Sequence, residues 1–261
     1  MNYPQRIICL TEETTETLYL LGCQDRIVGI SGFTVRPMEA RLEKPKVSTF
    51  LDANYDKILA LKPDVVFAFS DLQAEIAKEL LLRGIQVVGF NQRSVQEILQ
   101  MILVVGGIVG KQVEAQVLVA QYEKRLQDIA QQHSGVSRPK VYFEEWGDPM
   151  ISGIQWVSEL IEIAGGEDIF SELRVHHDAK NRIVRSDDVL ARNPDIIIGS
   201  WCGRPFKIEQ VKKRTGWGEI TAIKNNRLHE IKSSIILQPG PAAFTDGLDA
   251  LVGVIRNESS V

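Results

Sequence analysis

The stretch DKILALKPDVV, residues 56–66, returns with conservative changes as DDVLARNPDII, residues 187–197. Both read D-x-[IV]-L-A-x-x-P-D-[IV]-[IV]. The first half of each is a short helix with apolar residues three apart. Proline cannot extend that helix, and it biases its predecessor toward extended backbone. The β-branched run that follows suits a buried strand. A second echo pairs residues 18–31 (LYLLGCQDRIVGIS) with residues 160–170 (LIEIAGGEDIF), where an apolar helix ends at a glycine able to take the left-handed conformation of a helix C-cap. The order is therefore the same twice: strand, helix, glycine cap, short strand or loop, helix, Pro-Asp, strand. Alternating strands and helices build parallel sheets. Two copies are too few for a solenoid and predict two similar lobes.

Between the copies, Ser94-x-x-Glu97 reads as a capping box that opens a helix, expected to weaken at Gly106, Gly107 and Gly110. A second helix is predicted over residues 111–133, with Val113, Val117, Leu118, Tyr122, Leu126 and Ile129 on one stripe. At 1.5 Å per residue it spans roughly 35 Å. The expected fold is α/β: two Rossmann-like lobes joined by a long backbone α-helix, with a ligand cleft between the lobes. Its parts are an N-terminal lobe over residues 1–110, the connecting helix over 111–133 and a C-terminal lobe over 134–261.

Composition narrows the partners. A net charge of −4 and a pI near 5.7, with charges interspersed, offer no basic stripe for nucleic acid. No run approaches the roughly 18–20 apolar residues of a membrane span, so the chain is not expected to be membrane-embedded. Cys9, Cys23 and Cys202 form an odd set without a CxxC, which argues against a disulfide framework. After Met1 comes an apolar strand rather than a basic stretch, apolar core and small-residue cleavage site. As written, the chain is expected in the cytoplasm; with a leader removed, in the periplasm. A monomer is expected.

In open α/β sheets, ligands bind beyond the carboxyl ends of the strands. The segments that follow the predicted strands here carry aromatics, small residues and scattered polar groups. That mix suits a large, partly flat ligand rich in amides. Residues 142–156, YFEEWGDPMISGIQW, gather Glu144, Glu145 and Asp148 between Trp146 and Trp156. They read as a wall of the cleft, with Asp148 or Glu145 as an acceptor. The enzymatic alternative acts on a similar ligand through Glu145, Asp148 and Cys202; its carboxylates would pair as in a glycosidase, and no histidine stands close in sequence to activate the thiol. His133, His176, His177 and His229 show no metal-ligand spacing. Arg36, Arg93, Arg204 and Lys207 near strand ends could meet an anionic group. No phosphate-binding glycine loop is present.

Five segments, TEETTETLYLLG, KVSTF…YDKILALKPDVVFAF, AEIAKELLLRGIQV, AGGEDIF and VLARNPDIII, run through nearly the whole chain in order. Together they resemble the periplasmic binding proteins with a helical backbone, class III, and most of all the BtuF-type cobalamin binders. The resemblance implies a solute-binding protein, not an enzyme, that captures a bulky metal chelate for an ABC importer. A corrinoid is the expected bound ligand and no catalytic cofactor is expected; a ferric siderophore or haem is the alternative. By position it makes Phe50 and Phe69 cleft aromatics and Glu75 the residue that docks on a permease, with Glu209 or Glu219 as its counterpart. With the strand-end reading, the ligand-binding set is Glu12, Phe33, Phe50, Phe69, Trp146, Asp148, Trp156, Trp201, Cys202, Arg204 and Gln238. Against the family pattern, no leader is expected from the residues after Met1, and the segments FEEWGDPMISGIQW, GSWCGRPF and LQPGPAAFTDGLDAL are more elaborate.

Overall fold

A computed structural model describes residues 3–256. The chain forms two compact units, residues 1–92 with 96–121 and residues 93–95 with 122–261.

The first unit is a fully parallel five-stranded sheet of order β3-β2-β1-β4-β5. Its elements run β1 (Ile7–Cys9), α1 (Glu12–Leu20), β2 (Ile27–Ser31), α2 (Met38–Glu43), β3 (Lys46–Ser48), α3 (Tyr55–Ala60), β4 (Val65–Phe69), α4 (Ala74–Leu82) and β5 (Val87–Phe90). Val65–Phe69 is buried at every position, as a central parallel strand covered on both faces must be. Then follow α5 (Val95–Val109) and α6 (Gln112–Gln132). Gly106 and Gly107, expected to weaken the first of these, lie within α5. A Cβ on Gly106 would come within 2.4 Å of the Ala115 side chain, so this glycine serves a close crossing of α5 and α6 rather than a break. α6 clusters with the first unit to Gln121 and with the second from Tyr122.

The second unit holds β6 (Lys140–Gly147), β7 (Met150–Ser152), α7 (Gln155–Ile163), β8 (Glu167–Asp168), α8 (Ser186–Arg192), β9 (Ile196–Gly199), α9 (Ile208–Lys212) and β10 (Leu228–Glu230). Its sheet order is β10-β9-β6-β7, with β8 beside β6 and β7 antiparallel to β6. Two features of this unit lie beyond the local pattern. β6 runs to Gly147 and turns back as β7, so the carboxylate-rich segment is strand and hairpin rather than loop. Residues 235–237 fall at the end of the helix Ser233–Ile236, where Leu237 is the cap.

The repeated Pro-Asp has the same job in both units. Asp64 accepts from the backbone N–H of Gln5 and Arg6 (2.7 and 2.9 Å), just before β1. Asp195 accepts from the N–H of Lys140 (2.8 Å) at the start of β6. Each motif turns through a positive-φ residue before its proline, Lys62 at 46° and Asn193 at 45°. The repeat thus ties a strand's beginning to its neighbour's. Apolar cores form separately in each unit, around Ile8, Ile58 and Val66 in one and Tyr142, Ile197 and Trp217 in the other.

Candidate functional site

Every strand of the first sheet is parallel, so the loops after Cys9, Ser31, Ser48, Phe69 and Phe90 share one edge. Phe33, Leu51 and Leu72 stand exposed on them, and Phe50 is half-buried. The loops are fastened by a buried glutamine that sequence reasoning passed over. Gln73 accepts from the N–H of Phe69 (2.9 Å) and donates to the carbonyls of Leu10 (3.3 Å) and Phe50 (3.0 Å). Nothing in residue type or spacing singled it out.

Two expected ligand residues of this unit turn inward. Phe69 is only 6% exposed, because it ends the buried strand β4. Glu12 is 3% exposed and spends Oε2 on the backbone N–H groups of Val35 and Arg36 (3.0 Å to the latter). Glu13 beside it is buried and accepts from Thr11 Oγ1 at 2.5 Å. Burial, above all, pushes both carboxyls from 4.5 to about 7, with the charge of Glu16 adding to the rise. The same environment pushes the Cys9 thiol to about 12, again chiefly by burial.

A raised carboxyl stabilises the fold fully below the unfolded value of 4.5, and that contribution is lost as pH rises to about 7. Urea unfolding at pH 5 and pH 8 should therefore show the Glu12→Gln/Glu13→Gln protein gaining on the parent at the higher pH, by on the order of 3 kcal/mol per group. An identical pH slope in both proteins would show that these carboxyls do not carry it.

In the second unit, a cavity of about 430 Å³ opens where β6 and β9 end. Its walls include Trp146, Gly147, Asp148, Trp201, Arg204, Lys207 and Arg214. Four of the expected residues, Trp146, Asp148, Trp201 and Arg204, are thereby brought together. Arg204 lies 5.1 Å from the Trp146 ring centroid, a cation–π distance. Trp146 Nε1 donates to the Asp148 carbonyl (2.9 Å). The Trp201 ring packs against Gly147, where a Cβ would come within 2.4 Å of it, and meets Phe206 edge-on at 5.4 Å.

One buried residue holds this wall. Glu144, with no exposed surface, accepts both guanidinium nitrogens of Arg214 (3.0 Å for the Nη2 contact), the Trp201 Nε1–H (3.1 Å) and the Tyr142 hydroxyl (3.1 Å). Successive residues of β6 alternate in direction, so Glu145 has different partners. Both its oxygens accept from Arg182 (2.7 and 3.1 Å), which is itself 1% exposed. The sequence signal for Glu144 was the strand alternation, had β6 been read past Phe143. Arg214 sits in a run, KKRTGW, that looks like solvated surface.

The remaining expectations divide. Trp156 turns inward: it is 3% exposed, lies in α7 and donates to the Ile236 carbonyl at 2.8 Å. Gln238 is half-buried, and Arg93 is buried. Arg36 pairs with Glu16 at 3.2 Å. Cys202 is exposed, and its thiol is pushed up by partial burial of the sulfur and then by the Glu145 charge. A protonated thiol and a Glu145 engaged by Arg182 make a weak nucleophile and an occupied base. His176 and His177 are exposed. Among the described residues, no group of three or more His, Cys, Asp or Glu could hold a metal ion, and no helix is long and apolar enough to cross a membrane.

The periplasmic binding protein family matches residues 7–235, and the chain belongs to that family. It is 29% identical over 265 residues to the uncharacterized ABC transporter substrate-binding lipoprotein YvrC of Bacillus subtilis, covering 95% of this chain and 79% of that one. It is 27% identical over 243 residues to the vitamin B12-binding protein of Vibrio cholerae, covering 91% and 84%. The fold is that of solved class III periplasmic binding proteins. A possible iron-binding (periplasmic solute-binding) protein of Staphylococcus epidermidis matches at a TM-score of 0.83 and 24% identity, over 97% of this chain and 99% of that one. The periplasmic vitamin B12-binding protein BtuF of Vibrio cholerae matches at 0.76 and 23%, over 97% of each. A periplasmic haem-binding protein of Roseiflexus sp. RS-1 matches at 0.81 and 20%, over 96% and 99%.

Proposed function

We propose that this chain is a solute-binding protein for a bulky metal chelate, most readily a corrinoid, which it holds without turnover. The observation that carries the reading is the second unit's cavity, with two tryptophans, a stacked arginine and an aspartate at the carboxyl ends of parallel strands. Trp146 and Trp201 supply apolar faces, while Asp148 and Arg204 supply one acceptor and one donor at fixed points, as an amide-fringed ring requires. A volume of about 430 Å³ takes one edge of such a ligand. The exposed aromatic and aliphatic side chains Phe33, Leu51 and Leu72 give the first unit apolar contact area of its own. The vitamin B12-binding relatives favour the corrinoid.

A second reading, a haem or ferric siderophore, is favoured by charge. Neither Arg204 nor Lys207 has an ion-pair partner among the described residues, so both are open to a carboxylate or phenolate of an anionic chelate. Binding that weakens steeply with salt would favour it over a neutral amide-rich corrin.

Delivery to an ABC permease belongs to the same proposal, in the periplasm or from a lipid anchor as for YvrC. Glu75 stands at the first turn of α4 with Lys78 at 3.1 Å, and Glu209 at the first turn of α9 with Lys212 at 3.2 Å. Such exposed pairs contribute little to stability, so either carboxylate can exchange its lysine for a partner's arginine. That likeness favours Glu209 over Glu219 as the second docking residue.

Fluorescence titration with cyanocobalamin tests the binding reading. Trp146→Ala should weaken affinity by roughly 30-fold, in the range of a buried aromatic anchor, and leave the unfolding midpoint within experimental error. Equal affinity for parent and variant would remove Trp146 from the site.

A further inference from the structure

Phe33 is 64% exposed, yet its loop is fully tied down. Five successive backbone N–H groups each have an acceptor. Gly32 donates to the Ser48 carbonyl (2.7 Å), Phe33 to Ser31 Oγ (3.2 Å) and Thr34 to the Ser31 carbonyl (3.2 Å). Val35 and Arg36 both donate to Glu12 Oε2. The first three of these groups are held at the ends of β2 and β3, and the last two by a single side chain from another element, Glu12 of α1; the Thr34 carbonyl accepts in addition from Arg41 Nη1 of α2 (3.1 Å). The Arg36 guanidinium is held in turn by Glu16, one turn further along α1. An exposed apolar ring normally costs little to leave mobile. Here a carboxyl has been buried at a desolvation cost to fix the loop that carries one.

We propose that Glu12 is a positioning residue: it holds the 32–36 loop through two backbone N–H groups, so that the Phe33 ring is fixed in advance against the bound chelate. The proposal rests on the solute-binding reading above. Its effect is the usual one of preorganisation, in which ordering done before binding no longer subtracts from affinity. Glu12 itself touches no ligand, because its carboxyl is buried against the loop.

Two readouts test it on the full-length protein. The first is amide hydrogen exchange, which needs no ligand. In Glu12→Ala, the Val35 and Arg36 amides should exchange at least about tenfold faster than in the parent, while Phe67 in the sheet is unchanged, as expected for a local opening. Glu12→Gln keeps a carbonyl oxygen as acceptor and should restore slow exchange. Glu12→Leu, which fills the space without an acceptor, replaces the alanine variant if that one does not fold.

The second readout is cyanocobalamin affinity in a double-mutant cycle with Phe33→Ala. Glu12→Ala should weaken binding about tenfold in the parent and have almost no effect once Phe33 is alanine. A purely structural role for Glu12 would give the same loss in both backgrounds, and that result overturns the proposal. So does unchanged exchange at Val35 and Arg36, or a Phe33→Ala variant that binds as the parent does while Trp146→Ala does not. If the parent retains no cyanocobalamin, haem or ferric siderophore, the solute-binding reading fails, and the role assigned to Phe33 fails with it. The exchange result separates that outcome, because it shows by itself whether Glu12 holds the loop.

Discussion

Glu144→Ala is expected to cost the chain about 3–5 kcal/mol of stability, the range for removing one partner of a buried ion pair. Glu144 has no exposed surface, and it satisfies Arg214, Trp201 and Tyr142 at once. Its loss leaves the Arg214 guanidinium, 20% exposed, without its carboxylate, and leaves an indole N–H and a phenol to find new acceptors. Urea denaturation reads the cost directly. The same substitution loosens Trp201 in the cavity wall, so cyanocobalamin binding should weaken as well. Glu144→Ala combined with Arg214→Leu should recover much of the stability, since an apolar replacement of both charges removes the orphan. That double variant should not recover binding, because Trp201 remains untethered. A single variant as stable as the parent would mean that Glu144 is not the residue that organises this wall.

Arg182→Ala is expected to cost about as much, roughly 3–5 kcal/mol, by the same mechanism acting on the other face of β6. Arg182 is 1% exposed and reaches both oxygens of Glu145 and the Ser152 carbonyl, while its own carbonyl accepts from Ser152 Oγ at 3.2 Å. It therefore clamps the β6–β7 hairpin whose turn presents Asp148. Without it, Glu145 is a carboxylate with 19% side-chain exposure and no counter-charge from this arginine. Thermal unfolding measures the loss, and Glu145→Leu/Arg182→Met should regain most of it. A variant that unfolds with the parent would show the hairpin to be held by its strand pairing alone.

The architecture was legible because its signals are local and repeated. The Pro-Asp motif marks a helix end, a turn and a buried strand in eleven residues, and finding it twice already implies two like units. The candidate site was legible only where side-chain type and strand-end position coincide, as at Trp146, Asp148, Trp201 and Arg204. Trp156 and Phe69 show the limit of that rule. Both are aromatic and close to strand ends, but one is on the inner face of α7 and the other at the last buried position of β4. An aromatic next to a strand end says nothing about which face it takes. Glu144 and Arg182 were not legible as anchors, since their partners lie 70 and 37 residues away, and such pairings are set by the fold and not by local pattern. Glu12 lies in the expected loop cluster but faces inward: a glutamate after a strand looks solvent-facing in the sequence, and only the fold shows the neighbouring loop closing over it.

The most direct test of the whole account is retention of a coloured chelate. Purified protein would be mixed with excess cyanocobalamin, desalted and scanned in the visible, with haem and a ferric siderophore in parallel. The account predicts co-eluting colour at about one equivalent, saturable on titration, with the chelate recovered unchanged after denaturation. A protein fraction that carries none of the three, or one that returns a chemically altered ligand, would contradict it.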